Sequence, residues 1–136
     1  MAYLHSGIEN VLQLLKERGT KLAVFTGKGY RTAKITLDEF ELSSFFDVVV
    51  SGNDVANHKP HPEGIQKVMQ EFLLSPDEVL MVGDSMSDVK ASRGAGVKIA
   101  AVLWDSYDNE RMLVAQTDFV FHNVSEMLEW FRLHTN

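Results

Sequence analysis

The sequence predicts an α/β fold, a mostly parallel sheet covered by helices on both faces. Three observations predict it. Short apolar runs, in KLAVFT, DVVVSG and EVLMVGD, lack the alternation of a half-exposed strand, which marks strands buried on both faces. Segments of helical periodicity separate these runs, and a strand–helix–strand order implies right-handed crossovers between parallel neighbours. Glycine and polar residues close several of the runs, so reactive side chains collect at the strands' carboxyl ends, where open α/β sheets bind ligands.

The elements follow in order. Ile8, Val11, Leu12 and Leu15 in SGIENVLQLLKERG stand at helical spacing, with Ser6 and Glu9 as a capping box and Gly19 as the stop. KLAVFT, Lys21 to Thr26, reads as the first strand, and Tyr30 to Phe40 as the second helix. Val48, Val49 and Val50 form the next strand, since β-branched residues suit a pleated, buried surface. After the loop GNDVANHKPHPEG, Pro62 opens a third helix in its first turn, with Ile65, Val68, Met69 and Phe72 on its apolar face. EVLMVGD is a strand ending at Asp84, and SMSDVKASRGAG a helix closed by Gly94 or Gly96. KIAAVLW, Lys98 to Trp104, gives another strand and Asn109 to Ala115 another helix. DFVF and a last helix with Val124, Met127, Leu128 and Phe131 on one face complete the chain.

The length, 136 residues, is that of one domain, residues 1–136. With 45% hydrophobic and 24% charged residues the composition is that of a folded globular chain rather than a disordered one. Cysteine is absent, which excludes disulfides and thiolate metal sites. A formal net charge of −6 speaks against nucleic acid or an anionic membrane as a partner, because both reward a basic face. The sequence has no apolar stretch of membrane-spanning length and its start resembles no secretory leader, so a cytoplasmic location is expected.

Asp84 and Asp88 in VGDSMSD bring two carboxylates to the junction of a strand and a helix. Two readings fit. They are an N-terminal cap with favourable charge on the helix dipole, or a site for Mg²⁺, a hard cation that takes one or two carboxylates, several waters and a substrate phosphate. Thr26, with the backbone amides of Gly27 and Lys28, fits either an ordinary glycine turn or a phosphate cradle at a helix start. TGKG is not a Walker A loop, and GKGYRT lacks the third glycine of a dinucleotide fingerprint. Lys59 precedes Pro60, which biases its backbone toward extended conformations and limits where the ammonium points. A fixed cation suits a phosphoryl group, whereas a solvated surface lysine is the ordinary alternative. His58 and His61 lack a third ligand for zinc and read as loop residues.

The order LAVFTGK, then VVVSGNDV with HKPHPEG, then VLMVGDSMSDVKASRGAGVKIAAV closely resembles the haloacid dehalogenase superfamily of phosphohydrolases, in particular its phosphoglycolate-phosphatase-like branch. The resemblance implies a Rossmann-like three-layer α/β/α core and Mg²⁺-dependent hydrolysis of small phosphorylated metabolites. On that likeness Thr26 with Gly27 and Lys28 binds phosphate, Lys59 steadies phosphate and nucleophile, and Asp84 with Asp88 holds Mg²⁺; Lys59 and Asp84 are then the catalytic residues. The family's nucleophile is an aspartate in a DxD motif on its first, central strand, and none of the nine aspartates here stands in such a motif.

In the family that strand lies between the strands that here end at Thr26 and at Asp84, so a core without it, and without the family's cap, has two open inner sheet edges. Unpaired backbone groups there must find partners, so a homo-oligomer or a complementing N-terminal fragment is expected, and the isolated chain is expected to be inactive. A catalytically dead remnant that binds a phosphorylated ligand or a partner is the alternative. A receiver-like signalling domain uses Asp, Thr and Lys in a different chain order.

Overall fold

A computed structural model of the chain describes residues 7–103 and 117–134. The elements are α1 (Ile8–Glu17), β1 (Ala23–Phe25), α2 (Tyr30–Glu39), β2 (Val48–Val50), α3 (Glu63–Phe72), β3 (Leu80–Gly83), α4 (Met86–Ala95), β4 (Lys98–Val102), β5 (Phe119–Phe121) and α5 (Val124–His134). From α1 to β4 strands and helices alternate as the sequence predicts, and every strand pairing among the described residues is parallel. The chain divides into two compact units, Met1–Asn53 with Val124–Asn136, and Asp54–Asn123.

In the first unit β1 pairs with β2, in the register Ala23 with Val48 and Phe25 with Val50. α1 packs on α5, burying Val11 and Leu15 of one and Val124, Met127 and Phe131 of the other. The Arg18 guanidinium donates to the carbonyls of Phe131 at 2.6 Å and Arg132 at 3.1 Å, satisfying acceptors that the end of a helix leaves open. α1 begins after Gly7, whose φ of 94° is costly for any residue with a Cβ. Ser6 of the expected capping box, the helix expected at Asn109 to Ala115 and Trp104 lie outside the described residues.

Asp47 ties the entry of β1 to that of β2. Its carboxylate accepts the Leu22 amide at 2.9 Å and the Lys16 ammonium at 3.1 Å, and its own amide donates to the Leu22 carbonyl at 2.7 Å. The Leu22 amide holds the carboxyl below the ordinary aspartate range against the opposing effect of burial, and Lys16 adds to the lowering. A depressed folded pKa contributes stability that is complete well above the unfolded value of about 3.9 and disappears as pH falls through the folded value. The stability difference between the wild type and Asp47→Asn, read from urea midpoints, is therefore expected to shrink between about pH 6 and pH 3. A difference that stays constant with pH would show that Asp47 acts through geometry alone.

In the second unit the order β3-β4-β5 places β4 centrally, with Val82 beside Ala100 and Ala101 beside Val120. Its core is Val89, Ile99, Ala101 and Leu103, covered by Met81, Met86 and Val120. β4 accordingly carries the run Ile99 to Val102, buried without alternation. β3 is an edge, and Val82 in its middle is 40% exposed, unusual for a strand this apolar. β1 and β3, the two strands expected to lose a shared neighbour, both have an unpaired side among the described residues.

Some boundaries differ from expectation, β3 among them, which stops at Gly83 rather than Asp84, and the end of α4 is decided between its two candidates. The first strand is shorter than Lys21 to Thr26, since only Ala23–Phe25 is laddered to β2. Pro62 is the N-cap of α3 rather than part of its first turn. Gly96, left-handed at φ 75°, ends α4, whereas Gly94 lies inside the helix where an added Cβ would meet Pro62 Cγ at 3.0 Å. Among the described residues no helix is long and apolar enough to cross a membrane.

Candidate active site

The strongest cluster of polar side chains sits where β3 runs into α4. Ser85 caps the helix, its hydroxyl accepting the Asp88 amide, so Asp88 is held in the first turn, where the helix dipole favours a negative charge. The Asp88 carboxylate is 4% exposed as a residue, and its two oxygens are engaged on opposite sides. Oδ1 accepts the Lys59 ammonium at 2.8 Å. Oδ2 accepts the Asp84 amide and the Ser85 hydroxyl, each at 3.1 Å. A buried carboxylate needs such partners, because an uncompensated charge in the interior costs several kcal/mol.

Gly83, the last residue of β3, makes this arrangement possible for a reason other than turning freedom. A Cβ there would stand 2.5 Å from Asp88 Cβ and 2.6 Å from Asp88 Oδ2. The carboxylate therefore lies directly on the strand's backbone. Asp84, one residue beyond the strand, is exposed. The pair thus divides into a buried, multiply bonded Asp88 and a solvent-facing Asp84.

Lys59 reaches Asp88 from a loop that is itself tied down. The Lys59–Pro60 peptide bond is cis, and the His61 amide donates to the His58 carbonyl at 3.0 Å. Glu63, at the start of α3, accepts the Ala56 amide at 2.7 Å and the Asn57 side-chain amide at 3.3 Å. The His61 ring accepts the Glu63 amide through Nδ1. Among the described residues no group of three or more His, Asp or Glu is gathered that could hold a metal ion.

Thr26, Gly27 and Lys28 belong to the other compact unit and form a turn of their own after β1. The Thr26 amide, just past the end of β1, donates to the Val50 carbonyl at 3.0 Å. The Lys28 amide, one of the expected phosphate donors, is engaged with the Thr26 hydroxyl at 3.2 Å. Gly52 donates to the Lys28 carbonyl at 2.7 Å, and a Cβ on Gly52 would come within 2.6 Å of the Gly27 carbonyl oxygen. Asn53 caps α2 from outside, its Oδ1 accepting the Tyr30 amide at 2.7 Å. Asn53 and Glu63 were not among the sequence-predicted residues; each is a polar residue near a helix start, and that position is the only signal the sequence carries for them.

The sequence also matches a family. The model for haloacid dehalogenase-like hydrolases covers residues 1–102. The chain belongs to this family. It is 37% identical over 121 residues to the pyrophosphatase PpaX of Bacillus thuringiensis, a match covering 89% of this chain and 56% of that protein. Among solved structures, a predicted phosphoglycolate phosphatase from Haemophilus somnus superposes with a TM-score of 0.88 at 26% identity, over 94% of this chain and 57% of that one. A HAD-superfamily hydrolase from Geobacter sulfurreducens gives 0.78 at 29% identity, over 93% and 55%. The chain thus spans a little over half the length of these haloacid dehalogenase-like relatives, and its parallel α/β pattern is theirs.

Proposed function

We propose that this chain carries the phosphate and metal side of a Mg²⁺-dependent haloacid dehalogenase phosphatase that hydrolyses small phosphorylated metabolites, and that the aspartate nucleophile comes from outside these 136 residues. The observation that carries this reading is the Lys59–Asp88 pair at the carboxyl end of β3, a fixed ammonium on a buried carboxylate, with the exposed Asp84 at the same strand end.

The donor chemistry of the cluster fits Mg²⁺. A carboxylate offers about four lone-pair positions. Three donors engage Asp88, and Asp84 faces solvent. Asp84 would be the direct ligand and Asp88 the anchor of the site, with water and a substrate phosphate as the remaining ligands. Bound there, Mg²⁺ supplies charge neutralisation on the phosphoryl oxygens. Lys59 adds a second, preorganised cation that costs no reorganisation as charge develops. Thr26, with Gly27 and Lys28, would serve the phosphate through the Thr26 hydroxyl, since a hydroxyl that accepts one bond still has its own proton to give.

In this reading the open edge of β3 takes a strand from a complementing fragment or from a second copy of the chain. The exposed Val82 supports that part. The second reading, a remnant that only binds phosphorylated ligands, is favoured by the lack of any DxD motif in the sequence.

The test is calorimetric titration of the chain with Mg²⁺, beside Asp84→Asn, followed by hydrolysis of a generic phosphomonoester with and without the metal. Loss of one of so few protein ligands is expected to weaken Mg²⁺ about tenfold or more. Equal affinity in both proteins would remove the metal assignment. Mg²⁺ binding without turnover fits the scaffold reading, and turnover that needs Asp84 would mean that another carboxylate of this chain is the nucleophile or that water attacks directly.

A further inference from the structure

The loop that carries Lys59 has a latch. Glu63 lies in the first turn of α3, and its carboxylate reaches back across the loop to the Ala56 amide at 2.7 Å and to the Asn57 side-chain amide at 3.3 Å. Its own amide is held by the His61 ring at 3.1 Å. These contacts close a short circuit of chain between Ala56 and Glu63, with Lys59 inside it. Lys59 in turn donates to Asp88 Oδ1 at 2.8 Å, and its side chain keeps 20% of its surface exposed.

We propose that Glu63 is a positioning residue for Lys59: by fixing the Ala56–Asn57 end of the loop to the start of α3, its carboxylate sets where the Lys59 ammonium stands relative to Asp88. The proposal rests on the reading of Lys59 as the cation of a phosphate site. Glu63 itself touches neither Lys59 nor Asp88 by any described hydrogen bond, so it acts through the loop.

The chemistry requires a carboxylate. Both groups that Glu63 receives are donors, and an ionised carboxylate is acceptor-only on both oxygens. A glutamine at this position keeps an acceptor only on Oε1; its NH₂ is satisfied only if the Asn57 side-chain amide turns over to present Oδ1, and the charge that strengthens both bonds is gone. The carboxyl is held below the usual glutamate range, burial opposing this and the Ala56 amide and Asn57 overcoming it, so the group is ionised at neutral pH. Hydrogen bonds to a charged acceptor are the stronger kind, and a short closed loop has little entropy left to lose when its ends are fixed.

Trace acylation of lysines, followed by mass spectrometry, reads the position of the Lys59 ammonium without requiring metal, substrate or turnover. The proteins are the wild type, Glu63→Gln, Asn57→Ala and Asp88→Asn, with Lys90 and Lys98 of the same unit as internal references. Asp88→Asn removes the partner directly and sets the rate of a released Lys59. Loss of one latch bond is expected to raise the Lys59 rate about 3- to 10-fold in Glu63→Gln, with Lys90 and Lys98 unchanged, and by less in Asn57→Ala. A wild-type Lys59 rate in a folded Glu63→Gln protein overturns the proposal. If Glu63→Gln raises all lysines together, it has unfolded the unit, and Asn57→Ala decides: a rise confined to Lys59 supports the latch, and no rise overturns it. Because Mg²⁺ plays no part in the labelling, failure here leaves the Asp84 titration to judge the functional reading by itself.

Discussion

Gly83→Ala is expected to unfold at markedly lower denaturant than the wild type and to lose the Asp88 cluster even where it remains folded. The added Cβ would meet Asp88 Cβ at 2.5 Å, Oδ2 at 2.6 Å and Cγ at 2.8 Å. None of these atoms is the free end of a flexible side chain. Asp88 is fixed in the first turn of α4, and its carboxylate is bonded to Lys59, Asp84 and Ser85. Relief therefore requires β3 to move from α4, whose residues pack on β4 and β3. Forcing extra atoms into a packed interior costs about 1–3 kcal/mol. Displaced hydrogen bonds to a charged group add about 1.5–3 kcal/mol. Gly27→Ala is the matched control, because a Cβ at Gly27 meets nothing within 4 Å. Urea unfolding of the three proteins checks the expectation, and a Gly83→Ala midpoint equal to that of the control would mean that β3 and α4 separate without cost.

That glycine shows where the sequence was informative and where it was silent. Gly83 before Asp84 is visible as a glycine at a strand end, and the ordinary inference is a turn. The role it has in the fold is close approach, which depends on a residue five positions later, on another element. The elements themselves were legible because periodicity and apolar runs are local: Val48–Val50 and Lys98–Val102 stand where the apolar runs put them. Boundaries were less so, since ladder hydrogen bonds, and not apolarity, end a strand; β1 stops at Phe25 because its pairing stops opposite Val50.

In the site, Lys59 and Asp88 were each singled out by their own neighbours in sequence, but their 2.8 Å pairing joins positions 29 apart and no local pattern encodes it. Glu63 and Asn53 were missed for a related reason. Each acts by accepting backbone amides of other residues, and any carboxylate or amide side chain near a helix start can do this, so the residue type alone carries no signal. Ser75, by contrast, sits in the readable pattern Ser-x-x-Glu and forms a capping box with Glu78.

The Lys59–Asp88 pair is the second place where one substitution is expected to matter greatly. The side chains are 20% and 6% exposed, so the pair is more buried than a surface ion pair, whose typical worth is about 0–1 kcal/mol. Lys59→Met keeps the apolar stem and removes the charge. It leaves the Asp88 carboxylate with only the Asp84 amide and the Ser85 hydroxyl. Breaking a buried pair from one side costs about 3–5 kcal/mol, because the remaining charge is uncompensated; the residual exposure of Lys59 places the expected loss at the low end. Asp88→Asn is expected to cost less. Its carbonyl can still accept the two donors on the α4 side, although its NH₂ then faces the Lys59 ammonium. In the double variant neither an unpaired carboxylate nor a donor facing a donor remains, so its loss should fall well short of the sum of the single losses. The difference is the coupling energy of the pair. Measured by urea unfolding at neutral pH, a coupling above about 1 kcal/mol would establish the contact as a fixed ion pair, as a preorganised phosphate-site cation requires. A coupling near zero would make Lys59 a solvated lysine that passes Asp88, and would leave the cluster with Asp84 as its only strong claim to phosphate chemistry.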